Sequence, residues 1–210
     1  MKQWLLLLTL TLTFATNLVA AEKFTEGADY AVISPAVNTG HDDKVVVKEI
    51  FWYGCPHCFR FEPFVDQWLK TKPENVIFEL QPSVLNPPWS DHARTFFALE
   101  LMGETDKVHQ KLFNAIHVDK QRLTSQETIA KFVAKLGVDE KQFRENFYSF
   151  PVDSKLRKSR QIEQKYGHRG VPAVIINGKY RTGGSMAGSY TRMLKIVDFL
   201  VAKELAEMKK

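Results

Sequence analysis

Ten residues, Lys44 to Tyr53 (KVVVKEIFWY), form a β-branched and aromatic run interrupted only by Lys48 and Glu49. Such a run suits a strand at the centre of a sheet, covered on both faces. Gly54 ends it, and a helix start follows at once. Cys55 stands where the cap belongs, and Pro56 falls at the first helical position, where a missing N–H costs nothing. This strand-to-helix junction constrains the remainder of the chain more than any other feature.

The helix predicted after it places Phe61, Phe64, Val65, Trp68 and Leu69 at core-facing spacing, with a kink expected at Pro63. Val76 to Leu80 reads as a second strand, closed by Gln81-Pro82. From Asp91 to Tyr166 the texture becomes helical: Ala93–Leu101, Lys107–Ile116, Ile129–Leu136, Lys141–Tyr148 and Ser154–Tyr166. Thr124 and Glu127 fit a capping box, and Gly137 a helix stop. Strand signals return at Ala173–Ile176. Asn177-Gly178 is a strong hairpin turn, with Lys179-Tyr180-Arg181 beyond it. A final helix carries Met193, Leu194, Ile196, Val197, Leu200, Val201 and Leu205 along one stripe. The order describes an α/β sheet domain, 22–90 and 167–210, interrupted by a helical insertion at 91–166.

Met1 to Ala21 reads as a cleaved export signal: Lys2, an apolar run from Trp4 to Ala15, and small residues Val19-Ala20-Ala21 before Glu22. The apolar run falls short of the about 20 residues a spanning helix requires. The mature chain is therefore expected to be soluble and outside the cytoplasm. Of the residues, 44% are hydrophobic, enough for a core without disulfide staples. Net charge is +5, with Lys and Arg dispersed among Asp and Glu. No basic stripe is interleaved with aromatics, which argues against a nucleic-acid partner.

The chain has two cysteines, Cys55 and Cys58. At a helix start, free N–H groups and about half an elementary charge of dipole favour a thiolate at Cys55. His57 can add a charge or a donor, and Cys58, one turn inside, can resolve a mixed disulfide. An exposed Cys55 of lowered pKa makes the disulfide form an electron acceptor and hence a disulfide donor. Other readings of the pair fit less well. Zinc requires about four ligands, and no second such pair exists. A c-type haem requires His after the second cysteine, where Phe59 stands. A structural bridge over so short a loop would stabilise little.

Glu49 with FWYGCPHC, and HRGVPAVIINGKY from His168 to Tyr180, resemble the DsbA family of disulfide-forming oxidoreductases, over essentially the whole mature chain. The resemblance implies a thioredoxin fold with an inserted helical domain. It implies a cis Val171-Pro172 peptide facing the cysteines, with substrate held as an extra strand through the Val171 backbone. It also implies that Glu49 is a buried acid relaying the proton of Cys58, that Pro56 and His57 tune the pair, and that the oxidant is strong. The location implied is periplasmic. The partners are reduced exported proteins and a DsbB-like, quinone-linked membrane protein, with no bound cofactor. The alternatives are an isomerase or reductase on the same fold, or a binding module with a structural bridge. Glu22 to Asp43 is too short for the dimerisation domain of the related isomerases, so a monomer is expected.

Two other features are given no role. Gly183 to Gly188 (GGSMAG) lacks the lysine and hydroxyl of a phosphate loop and reads as a flexible approach to the last helix. His41, His92, His109, His117 and His168 have no metal-ligand spacing, although His168 precedes the Gly170-Val171-Pro172 loop.

Overall fold

The Lys44–Tyr53 run forms β2 (Val45–Phe51), whose residues are all buried except the partly covered Lys48. In the computed structural model, which describes residues 23–208, β2 lies inside a five-stranded sheet of order β1-β5-β4-β2-β3. Strands β3 (Val76–Pro82), β4 (Ala173–Ile176) and β5 (Tyr180–Gly183) follow the sequence pattern closely, and β2 pairs parallel with β3 and antiparallel with β4. The parallel register sets Lys48 opposite Glu79, and their side chains form an ion pair at 3.0 Å. Strand β1 (Ala31–Val32) pairs antiparallel with β5 and had no counterpart in the sequence reading, because two residues carry no periodicity. The proposed export signal lies outside the described residues.

Helix α1 (Pro56–Leu69) runs through Pro63 and packs with α8 (Tyr190–Glu207) on one side of the sheet, around Val45, Val47, Phe61, Trp68, Ile196 and Leu200. Phe64 departs from the expected stripe: it is 39% exposed, on the open side of α1. Between β3 and β4 lie α2 (Ser90–Met102), α3 (Thr105–His117), α4 (Gln126–Lys135), α5 (Glu140–Phe147) and α6 (Phe150–Tyr166). The core that joins Phe96, Leu112, Phe113, Ile129 and Phe143 of these helices also contains Phe51, Tyr53, Cys55 and Cys58. The cysteines therefore sit where the sheet unit meets the inserted helices. Among the described residues, no helix is long and apolar enough to cross a membrane.

Three local details differ from expectation. The capping box falls one residue later than Thr124 and Glu127, with Ser125 capping α4 and Thr128 returning the bond. The segment 184–187 is not irregular but one helical turn, α7 (Gly184–Ala187). The hairpin turn covers Asn177-Gly178, both at positive φ, and a Cβ at Gly178 would collide with the Val37 carbonyl, so glycine is required there.

Candidate active site

The turn out of β2 is closed by the Cys55 N–H, which donates to the Trp52 carbonyl at 2.9 Å. Gly54 is needed because a side chain there would strike the Trp52 indole. Cys55 has extended backbone angles at the N-cap of α1, Pro56 follows at the first helical position, and the Cys55 carbonyl accepts from the Phe59 N–H at 3.1 Å. Both cysteines are free thiols, so this is the reduced arrangement. Cys55 is less open than expected, at 7% exposure, and Cys58 is fully enclosed.

The two sulfurs are driven apart in acidity. The Cys58 thiol donates to Cys55, and the Cys58 and His57 backbone N–H groups add to it; together they outweigh burial and hold Cys55 at about 6. Burial and the neighbouring Cys55 push Cys58 well above the ordinary thiol range. The His57 ring contributes less than its backbone. Arg60 Nη2 lies 3.0 Å from His57 Nδ1, and a guanidinium only donates, so Nδ1 is the acceptor in this contact.

Glu49 lies beneath the pair, opposite Val174 of β4, fully buried and with no hydrogen-bond partner for either carboxyl oxygen. Burial first, then Glu62, Cys55 and Asp66, push its pKa well up, which favours the protonated carboxyl. Glu62, absent from the sequence reading, is buried one helical turn beyond Cys58. Its Oε2 stands 3.4 Å from His109 Nε2, and His109 Nδ1 is 2.9 Å from the Tyr53 hydroxyl. His117 Nε2 reaches the Tyr53 carbonyl at 2.7 Å, and its ring stacks on Phe59. Helix α3 thus supplies two histidines to the base of the site. The available signals were a glutamate four positions after Cys58 and a histidine beside the buried Val108.

Across from α1, Val171-Pro172 is a cis peptide, and the Cys55 thiol donates to the Val171 carbonyl at 3.5 Å. A second cis peptide, Ser34-Pro35, was not anticipated. Beside the Val171 loop lies a groove of about 980 Å³, lined by His57, Phe64, Val171, Pro172, Met186 and Tyr190 among others. His168 also lines it, and its Nε2 stands 3.5 Å from Glu163. Glu163, at the end of α6, accepts from the Ser83 hydroxyl and the Val84 N–H, each at 2.9 Å. This buried acid ties the end of β3 and the Val171 loop to the inserted helices.

The geometry has relatives. Residues 70–193 match the model of the DSBA-like thioredoxin domain. A thiol:disulfide interchange protein DsbA of Pseudomonas syringae pv. tomato is 38% identical over 93% of this chain and 92% of its own length. The chain belongs to the DsbA family. A relative of the same name from Burkholderia cepacia is 36% identical over 96% of both chains. The crystal structure of Pseudomonas aeruginosa DsbA superimposes with a TM-score of 0.84 at 38% identity, covering 89% of this chain and 97% of that one. Oxidoreductase DsbA from Xylella fastidiosa gives 0.81 at 29% identity, over 87% and 98%. The fold is therefore the thioredoxin fold with inserted helices, and the activity class is thiol–disulfide oxidoreductase. DsbA-family membership also accounts for the α2–α6 block, which lies inside the matched span.

Proposed function

We propose that the protein is a periplasmic oxidase that donates its Cys55–Cys58 disulfide to reduced, newly exported polypeptides. The observation that carries this reading is the opposed acidity of the two sulfurs, with Cys55 at about 6 and Cys58 well above the thiol range. A stable Cys55 thiolate favours the reduced enzyme, so the oxidised enzyme is driven to accept electrons. A reductase must give electrons away, and a strongly stabilised reduced form opposes that.

A substrate thiolate attacks Cys55 Sγ, the less enclosed sulfur, and the Cys55–Cys58 bond breaks. Cys58 is a poor leaving thiolate at its raised pKa, and the protonated Glu49 beneath it supplies the proton. A second substrate thiolate then attacks the substrate sulfur of the mixed disulfide and expels Cys55, whose low pKa makes it a good leaving group. Two electrons have moved, and both enzyme sulfurs are reduced. Pro56 starts the helix that stabilises Cys55, His57 contributes mainly through its N–H, and the Val171-Pro172 loop offers backbone for a substrate strand. The charge carriers are the cysteines themselves. Export by a signal at 1–21, reoxidation by a DsbB-like membrane protein and action as a monomer complete the reading.

Titration of the Cys55 thiolate by ultraviolet absorbance, combined with a glutathione redox equilibrium, tests it. The expected midpoint is about 6, with Cys58 silent through neutral pH. An ordinary thiol midpoint with a disulfide that resists glutathione would sink the oxidase reading. A thermodynamic consequence follows as well. Cys55 ionises more readily folded than unfolded, so its contribution is fully present above the unfolded thiol pKa and is lost as pH falls through about 6. The reduced form should lose about 2 kcal/mol relative to the oxidised form between about pH 8 and pH 5, allowing for solvent screening.

A further inference from the structure

The groove beside the Val171 loop carries charge of one sign. Arg169 and Arg181 line it, and no aspartate or glutamate does. The sequence has 24 acidic residues, so this absence is local. Arg181 lies on β5, where its half-exposed position alternates with the buried Tyr180 and Thr182, so it shares the groove face with Gly183. Its Nε approaches Gly167, at the base of the loop that carries Arg169. Among the described residues neither arginine forms an ion pair, whereas Arg192 nearby is held by Asp29 at 2.6 Å. Helices α1 and α8 both begin at this groove, through His57 and Tyr190, and neither has an acid in its first turn. In the oxidised protein, where Cys55 carries no thiolate, their positive dipole ends add to the arginines.

We infer that this groove selects anionic substrate strands: a reduced polypeptide with Asp or Glu close to its cysteine is oxidised faster than one with Lys there. The inference rests on the oxidase reading above and names the substrate class of the same site. In an extended strand, side chains alternate with a period of two. Arg169 stands two residues before Val171 and both line the groove, so a strand paired at Val171 carries its neighbouring side chains past Arg169. In chemical balance, a peptide dithiol becomes a disulfide, the Cys55–Cys58 disulfide becomes a dithiol, and two electrons and two protons pass to the enzyme.

The test uses the oxidised protein and three two-cysteine peptides, identical except for Glu, Gln or Lys two residues to either side of the first cysteine. Second-order rate constants are compared as ratios to the Gln peptide. The Glu peptide should exceed the Lys peptide by about tenfold at low ionic strength, with the ratio shrinking towards one at high salt. Arg169→Gln combined with Arg181→Gln should bring the ratio close to one. Thr191→Glu, which puts an acid at the start of α8 while keeping both arginines, should lower it by a smaller factor. Equal rates for all three peptides, or a ratio unmoved by both sets of substitutions, overturns the inference and leaves the oxidase reading intact. Failure to oxidise any peptide sinks the oxidase reading and this inference with it.

Discussion

The helices beside the cysteines and the helices of the insertion begin in opposite ways. All five inserted helices have an acid in the first turn: Asp91, Asp106, Glu127, Glu140 and Asp153. Helices α1 and α8 have none. An acid at a helix start offsets the positive dipole end and stabilises the helix by about 0.3–1 kcal/mol. The insertion uses this device at every start. The sheet unit forgoes it where the sulfur and the groove lie, leaving two positive ends for a thiolate and an incoming strand. Stability is concentrated in one region, and unsatisfied charge is reserved for the other.

Two buried acids show the same division, and removing each gives the largest effects. Glu163 has the Ser83 hydroxyl and the Val84 N–H as partners, whereas both oxygens of Glu49 have none. Glu163→Ala leaves two buried donors unpaired and should cost about 3 kcal/mol in urea unfolding. Glu49→Leu should instead stabilise by about 2 kcal/mol, because an unsatisfied buried carboxyl is replaced by an apolar side chain of similar size. The gain should grow as pH rises. The folded pKa of Glu49 lies above its unfolded value, so ionisation opposes folding at high pH. The same variant should slow disulfide donation near neutral pH, because Cys58 loses its proton source. A Glu49→Leu protein that is less stable than the parent and equally fast would break the contrast.

A smaller effect comes from moving an insertion-type start into α1. His57→Glu places an anion at the second helical position, close to Cys55. The helix itself gains, but the thiolate loses part of its stabilisation. Cys55 should titrate about one unit higher, and the glutathione equilibrium should shift about tenfold toward the oxidised enzyme. An unchanged Cys55 midpoint would mean that the Cys58 thiol alone governs the sulfur.

Much of this organisation was legible in the sequence because it depends on local signals. The continuous apolar run marked β2, Cys55-Pro56 marked the start of α1, and Asn177-Gly178 marked the hairpin. The resemblance added the cis Val171-Pro172 peptide, which no local pattern specifies. What was missed depends on distant partners. Strand β1 exists only through pairing with β5, and Glu62 becomes a site residue only when α3 brings His109 to it. Phe64 had the spacing of a core residue and lies instead at the groove, since the α1 stripe is wider than the surface that covers it. Spacing along a helix reveals which residues share a face, but not which part of that face remains open.

The smallest effect tests the insertion side of the contrast on its own terms. Asp106 is exposed in the first turn of α3, and no ion pair involving it occurs among the described residues. Asp106→Asn therefore removes little except a charge facing the helix dipole. The loss should be about 0.5 kcal/mol in dilute buffer and should fade as salt screens the interaction. Because α3 also holds His109 and His117 against Tyr53, the same substitution probes whether a helix start in the insertion influences the sulfurs. The dipole effect is confined to the first turn, whereas His117 is the last residue of α3. The Cys55 midpoint should thus stay at about 6. A shift of the midpoint with Asp106→Asn would show that the insertion's helix starts act on the cysteine pair, and the two regions would then have to be treated as one electrostatic unit.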